Sequence, residues 1–119
     1  MKFEQHLVIE RVKAMFGEEI ANNKLERNFR FIEETLELVQ SLNMTKEQVL
    51  AVVEYTFNRP IGEPQQELGG VLVTLFALCG ANNLNAEDAF ARDMSYCKEN
   101  SDKIREKRFK KPKEIRYEN

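Results

Sequence analysis

Across most of the chain, apolar side chains recur at steps of three and four residues, a spacing that lines them along one face of an α-helix and of no other regular structure. Phe3, Leu7, Val8, Val12, Met15 and Phe16 begin the pattern, with Gly17 as its stop. A second helix starts between Ala21 and Lys24 and runs to about Leu42. Its seam is Leu25, Phe29, Ile32, Leu36 and Val39, widened by Phe31, Leu38 and Leu42. Thr45 followed by Gln48 is a capping box that opens a third helix through Phe57. Arg59 to Pro64 is the clearest loop, and Pro64 suits the first turn of a fourth helix, about Pro64 to Ala81. Beyond Gly70 that helix is apolar nearly all round, so it is expected to be the most buried. Asn82-Asn83-Leu84-Asn85 turns the chain, with Asn85 as a cap, into a last helix reaching about Phe109. With only five glycines and three prolines, the composition argues against a sandwich or barrel of many short strands. The expectation is an all-α bundle, a single domain over 1–111 with a mobile basic tail at 112–119.

The net charge of -2 points to no nucleic-acid or membrane partner, but its distribution is uneven. Lys98 to Arg116 holds nine basic and four acidic residues, a local +5 that leaves the remainder near -7. The two cysteines, Cys79 and Cys97, lack the spacing of a zinc site or disulfide framework and read as reduced thiols. Met1 to Phe16 carries charges throughout and lacks the apolar run of a signal peptide. Val71 to Ala81, the longest apolar stretch, is too short to span a bilayer. A soluble, cytoplasmic protein is the expectation.

The second helix concentrates acid. Phe31-Ile32-Glu33-Glu34-Thr35-Leu36-Glu37-Leu38 packs three glutamates into five residues, with Glu34 and Glu37, and Glu33 and Glu37, one turn apart. Like charges at these spacings repel unless a cation lies among them, and Mg²⁺ takes a few carboxylate oxygens plus water and phosphate oxygens. A second acid, Glu67, leads into the most apolar helix within Gln66-Glu67-Leu68-Gly69-Gly70-Val71-Leu72, where a carboxylate calls for pairing, capping or metal. A solvated acidic face and a first-turn placement near the helix dipole are the plainer explanations of the two features.

Together, Glu33-Glu34-Thr35-Leu36-Glu37 and Glu67-Leu68-Gly69-Gly70-Val71-Leu72 resemble the EExxE…ExxD signature of the MazG-like all-α nucleoside triphosphate pyrophosphohydrolases. The resemblance covers roughly Leu25 to Phe109, and Phe16-Gly17-Glu18-Glu19-Ile20 and Glu26-Arg27-Asn28 are similar to short members from phages and mobile elements. It implies a four-helix core, a homodimer or homotetramer, and Mg²⁺ (with Mn²⁺ as an alternative) as cofactor. The implied activity is cleavage of a (deoxy)nucleoside triphosphate to the monophosphate and pyrophosphate, in nucleotide-pool housekeeping. Carried over, Glu34, Glu37 and Glu67 match the metal ligands, and Glu33 joins them as a catalytic neighbour. Lys103 and Arg105, on the last helix, match the family's phosphate-holding cations.

One position departs from the pattern. The aspartate of ExxD is Gly70 here, which removes one carboxylate and one negative charge. The site works with three carboxylates and water, or Glu63 substitutes from one turn earlier, or catalysis is weakened and a nucleotide- or ligand-binding helical module remains. Glu67, Gly70, Thr74 and Ala77 share a helix face on which a cleft is plausible, and close helix packing explains Gly70 equally well. The remaining tail cations, Lys110, Lys111, Lys113 and Arg116, add nonspecific phosphate attraction at most, and an interaction protein contacting nucleic acid would rest on them alone. His6 stands apart from any ligand cluster.

Overall fold

The helical spacing is realised as α1 (Gln5–Asn22), α2 (Lys24–Ser41), α3 (Lys46–Phe57), α4 (Pro64–Ala81), α5 (Ala86–Glu99) and α6 (Ser101–Phe109), followed by a 3₁₀ turn at Lys113–Ile115. The computed structural model describes residues 4–117, and no strand occurs among them. Phe3, the first residue of the expected α1 stripe, and tail residues 118–119 lie outside the described residues.

Local chemistry accounts for most of the helix ends. The Asn23 side chain accepts the Glu26 N–H at 2.8 Å and its carbonyl accepts that of Arg27 at 3.0 Å, which caps α2. At α3 the capping box forms as expected: the Gln48 N–H donates to Thr45 Oγ1 at 3.2 Å, and the Thr45 N–H to Gln48 Oε1 at 2.9 Å. Both α2 and α4 end on an asparagine in the left-handed region, Asn43 at φ 72° and Asn83 at φ 55°. The N–H of the next residue then reaches back, Met44 to the Val39 carbonyl at 3.0 Å and Leu84 to that of Cys79 at 2.9 Å.

Gly17 interrupts α1 where the sequence placed a stop: at φ 83° and ψ 164° it is not helical, a conformation glycine takes without a Cβ penalty, and helix resumes beyond it to Asn22. One boundary differs from expectation. The last helix is not continuous to Phe109 but breaks at Asn100, between α5 and α6. There the Asn100 side-chain amide donates to the Tyr96 carbonyl at 3.1 Å and the Ser101 hydroxyl to that of Cys97 at 2.8 Å. Side chains that compete for helix carbonyls in this way favour a break.

The chain divides into two compact units. The first comprises residues up to Thr35 together with those from Glu87 onward; the second is Leu36–Ala86. In the first, α1 packs on α6, and Met15 and Ala21 are buried. Its centre is polar: Glu26, with no exposed surface, receives Arg108 Nε at 3.1 Å, Arg108 Nη2 at 3.2 Å and the Tyr117 N–H at 2.7 Å. Arg30 Nε stands 3.2 Å from the same carboxylate. Charged groups are buried only when paired and hydrogen-bonded, and these contacts meet that condition for Glu26.

Such contacts hold Ile115 to Tyr117, within the segment read from sequence as a mobile tail. Arg30 donates to the Ile115 carbonyl, Arg108 to that of Tyr117, and the Tyr117 hydroxyl to Glu19 at 2.9 Å. Arg116 Nη1 donates to the Phe109 carbonyl at 2.6 Å. Basic composition suggested a solvated end, whereas Lys111 and Arg116 serve as donors, Lys111 to Glu33 and Arg116 to the carbonyls that end α6.

In the second unit no residue is buried, including those of α4, the helix expected to be the most buried. Leu68 is 51% exposed, Val73 69% and Phe57 84%. The apolar character of α4 is as the sequence indicates, and within its own unit its apolar side chains remain exposed.

Candidate metal and phosphate site

Helix α2 delivers Glu33, Glu34 and Glu37 one turn apart, as their spacing requires, yet their surroundings differ. Glu33 is committed to cations. Lys111 Nζ donates to its two oxygens at 2.9 and 2.8 Å, and Arg30 Nη1 to Oε1 at 2.9 Å. The sequence placed Lys111 in tail charge; its position just past α6 brings it to α2 instead. A carboxylate held by two part-buried cations would have to give them up before ligating a metal.

Glu34 lies within electrostatic reach of Cys97 in the same unit. The Cys97 thiol is 3.7 Å from Asp93 Oδ2 on α5. Burial first, then the charge and hydrogen bond of Asp93, push the thiol pKa up, with Glu34 adding in the same direction and Arg11 opposing. Asp93 is therefore an acidic neighbour of Cys97 that belongs to neither acidic motif. Its one available signal was the four-residue spacing to Cys97 on an amphipathic helix.

Glu37 and Glu67 belong to the second unit, and both are exposed. Neither carboxylate has a hydrogen bond or ion pair among the described residues. Glu67 is held in the first turn of α4, its N–H bonded to the Glu63 carbonyl at 3.0 Å. Glu63, the substitute carboxylate suggested by the sequence, is occupied as the cap of α4. Its two oxygens accept the N–H groups of Gln65 at 3.1 Å and Gln66 at 2.9 Å, with Pro64 at the first helical position as expected.

Gly70 is not a close-packing glycine within the chain. A Cβ built there meets nothing within 4 Å, so a carboxylate at this position would fit. Of the two expected phosphate-binding cations, Arg105 is engaged: it donates to the Met15 carbonyl at 3.1 Å and pairs with Asp102. Lys103 is exposed and carries no hydrogen bond or ion pair among the described residues.

Among the described residues no three Asp, Glu, His or Cys side chains converge as a metal-holding group. Glu37 and Glu67 are carboxylates without a hydrogen bond or ion pair among the described residues, and carboxylate oxygen is the donor type that Mg²⁺ prefers. No single helix among the described residues is long and apolar enough to cross a membrane. No protein-family model matches the chain, and no curated protein or solved structure does either.

Proposed function

We propose that the chain is a Mg²⁺-dependent nucleotide pyrophosphohydrolase of the MazG-like all-α type, cleaving a (deoxy)nucleoside triphosphate to the monophosphate and pyrophosphate. One observation carries this reading: the two acidic motifs lie on separate helices, α2 and α4, and each presents a carboxylate, Glu37 and Glu67, with no hydrogen bond or ion pair among the described residues. On this reading Glu37 and Glu67 would be ligands to Mg²⁺, with Mn²⁺ as an alternative, and water and phosphate oxygens would complete its shell. A bound divalent ion supplies neutralisation of phosphate charge and orientation of the attacking water. The chain's own cations divide the remaining work. Lys103 is available to the phosphates, whereas Arg105 and Lys111 are tied to protein groups. Turnover requires the carboxylates present to suffice, and the open position at Gly70 supports a second reading in which nucleotide is bound without being cleaved.

The functional form on this reading is a homodimer or homotetramer with a MazG-like helical core. The support is the exposed apolar surface. Within the second unit Leu50, Val53 and Phe57 on α3, with Leu68, Val71 and Val73 on α4, present exposed apolar side chains to a partner. A second copy is the partner every such chain has at hand.

The test is pyrophosphate release from a panel of triphosphates with Mg²⁺ or Mn²⁺, using the natural chain, Glu37→Gln and Gly70→Asp. Release that disappears in Glu37→Gln supports the enzyme. A silent natural chain with activity in Gly70→Asp identifies the binding module. If all three are inert and calorimetry detects no nucleotide, both readings fail.

A further inference from the structure

Three guanidinium groups of the first unit face one carboxylate. Around the buried Glu26, Arg108 Nε lies at 3.1 Å, Arg30 Nε at 3.2 Å and Arg27 Nη2 at 3.8 Å. A carboxylate offers about four acceptor sites, and three are taken, two by Arg108 and one by the Tyr117 N–H. Arg30 Nε is close to Glu26 without the alignment of a hydrogen bond. Nε and Nη2 of Arg27 are enclosed and have no acceptor among the described residues. Charge is as unbalanced as hydrogen bonding. Through Arg30 the cluster continues to Glu33 and Lys111, so four cations share two carboxylates, an excess of two positive charges. Arg116 and Glu19 join through the Arg108 carbonyl and the Tyr117 hydroxyl; they bring one charge of each sign and leave that excess unchanged. Burial lowers the Arg27 pKa. Glu26 opposes that shift and the charges of Arg30 and Arg108 add to it, the mark of a guanidinium short of anions.

We propose that Arg27 and Arg30, backed by the fixed charge of Arg108, form a binding site for a phosphate-class dianion, with Arg27 as its principal donor. Nε and Nη2 are one edge of a guanidinium, two parallel N–H groups that match two oxygens of a phosphate or a carboxylate. The charge excess decides between them. A carboxylate brings one negative charge, whereas a phosphate group at neutral pH brings about 1.5–2 and three strong acceptor oxygens. The ligand enters from the Arg27 side, where that side chain is 34% exposed against 16% for Arg30 and 5% for Arg108. No hydrogen bond among the described residues holds the Arg27 side chain, so a change of rotamer turns its enclosed edge toward the ligand. The site is built wholly from the first unit and needs neither a metal nor the proposed hydrolysis.

The experiment titrates inorganic phosphate by calorimetry, with chelator and about 150 mM chloride present, into the natural chain, Arg27→Gln, Arg27→Lys and Lys107→Gln. The Arg27 Nε–H resonance of the natural chain is followed by NMR during the same titration. The expected result is saturable binding of one phosphate, with Kd raised about 10-fold or more by Arg27→Gln. Arg27→Lys, which keeps the charge and loses the fork, should weaken binding less, and Lys107→Gln, an exposed cation outside the cluster, should leave it unchanged. Acetate, with one charge, should bind about 10-fold or more weakly than phosphate. A nucleoside monophosphate that binds more tightly than phosphate assigns the site to a phosphoryl group carried on a nucleotide, and the reverse order assigns it to free phosphate; either supports the site. Absence of saturable binding, equal Kd in Arg27→Gln, an equal loss in Lys107→Gln, or an Arg27 Nε–H resonance that phosphate does not move overturns the proposal. That resonance is read in the natural chain, so the test stands even where Arg27→Gln does not fold.

Discussion

Replacing Glu26 by glutamine should destabilise the chain more than any other single charge removal in the first unit. Glu26 is fully buried and accepts three hydrogen bonds, two from Arg108 and one from the Tyr117 backbone, while Arg30 stands 3.2 Å away. Three charge-assisted bonds at about 1.5–3 kcal/mol each set an upper bound that desolvation of the carboxylate reduces. Removing one partner of a buried ion pair costs about 3–5 kcal/mol, because the remaining charges are stranded. For a chain of this length, with about 4 °C of midpoint per kcal/mol, the expected loss is about 12–20 °C. Thermal melts followed by circular dichroism at pH 7 provide the assay, and amide exchange at Tyr117 should accelerate in parallel. The pH dependence carries a sign. Burial alone would raise the Glu26 pKa; the bonds from Arg108 and Tyr117 and the charges of Arg108 and Arg30 outweigh it, and the net shift from 4.5 is downward. A depressed folded pKa contributes stability that is complete above the unfolded value and is lost as pH falls through the folded one. The gap between natural chain and variant should therefore be constant from pH 6 to 8 and narrow below about pH 4.5. A midpoint change under 4 °C at pH 7, about 1 kcal/mol, would refute the view that this carboxylate secures α6 and the C-terminal segment.

Three further expectations can be checked with simple reagents. Thr45→Ala removes one half of the capping box on α3 and should cost about 1 kcal/mol in urea unfolding. Gly70→Ala lies in a helix interior with open space above it and should gain about 0.5–1 kcal/mol by chemical denaturation. A loss there would mean that another chain covers this face. Val73→Glu puts a charge on the exposed apolar face of α4 and should raise the dimer dissociation constant about 10-fold or more in sedimentation equilibrium. A natural chain that sediments as a monomer contradicts the assembly.

Spacing alone was enough to locate α2, α3 and α4, because amphipathic stripes, a capping box and a proline at the first helical turn are all local signals. The interruption at Gly17 was legible from the glycine itself, whereas the resumption of helix beyond it and the break at Asn100 were not. The Asn100 amide competes for a carbonyl that spacing alone treats as satisfied. The carboxylates Glu33, Glu34, Glu37 and Glu67 were all identifiable by type. Which of them are bound by cations was not, since Lys111 and Arg30 reach Glu33 through tertiary geometry. Glu63 illustrates the same limit. Its role as a cap was readable from Pro64 beside it, yet a carboxylate one turn before a motif also reads as a ligand. The burial of Glu26 has no signature in composition, because it depends on an arginine 82 positions away.

The central claim is most directly tested by identifying the products of a nucleoside triphosphate incubated with the natural chain and Mg²⁺, by phosphorus NMR. Cleavage between the α and β phosphates predicts monophosphate and pyrophosphate in equal amounts. Chelation should abolish their formation, and Glu37→Gln should slow it about 100-fold or more, as for the loss of a group acting on the transition state. A triphosphate left intact, or converted to diphosphate and inorganic phosphate, would contradict the account.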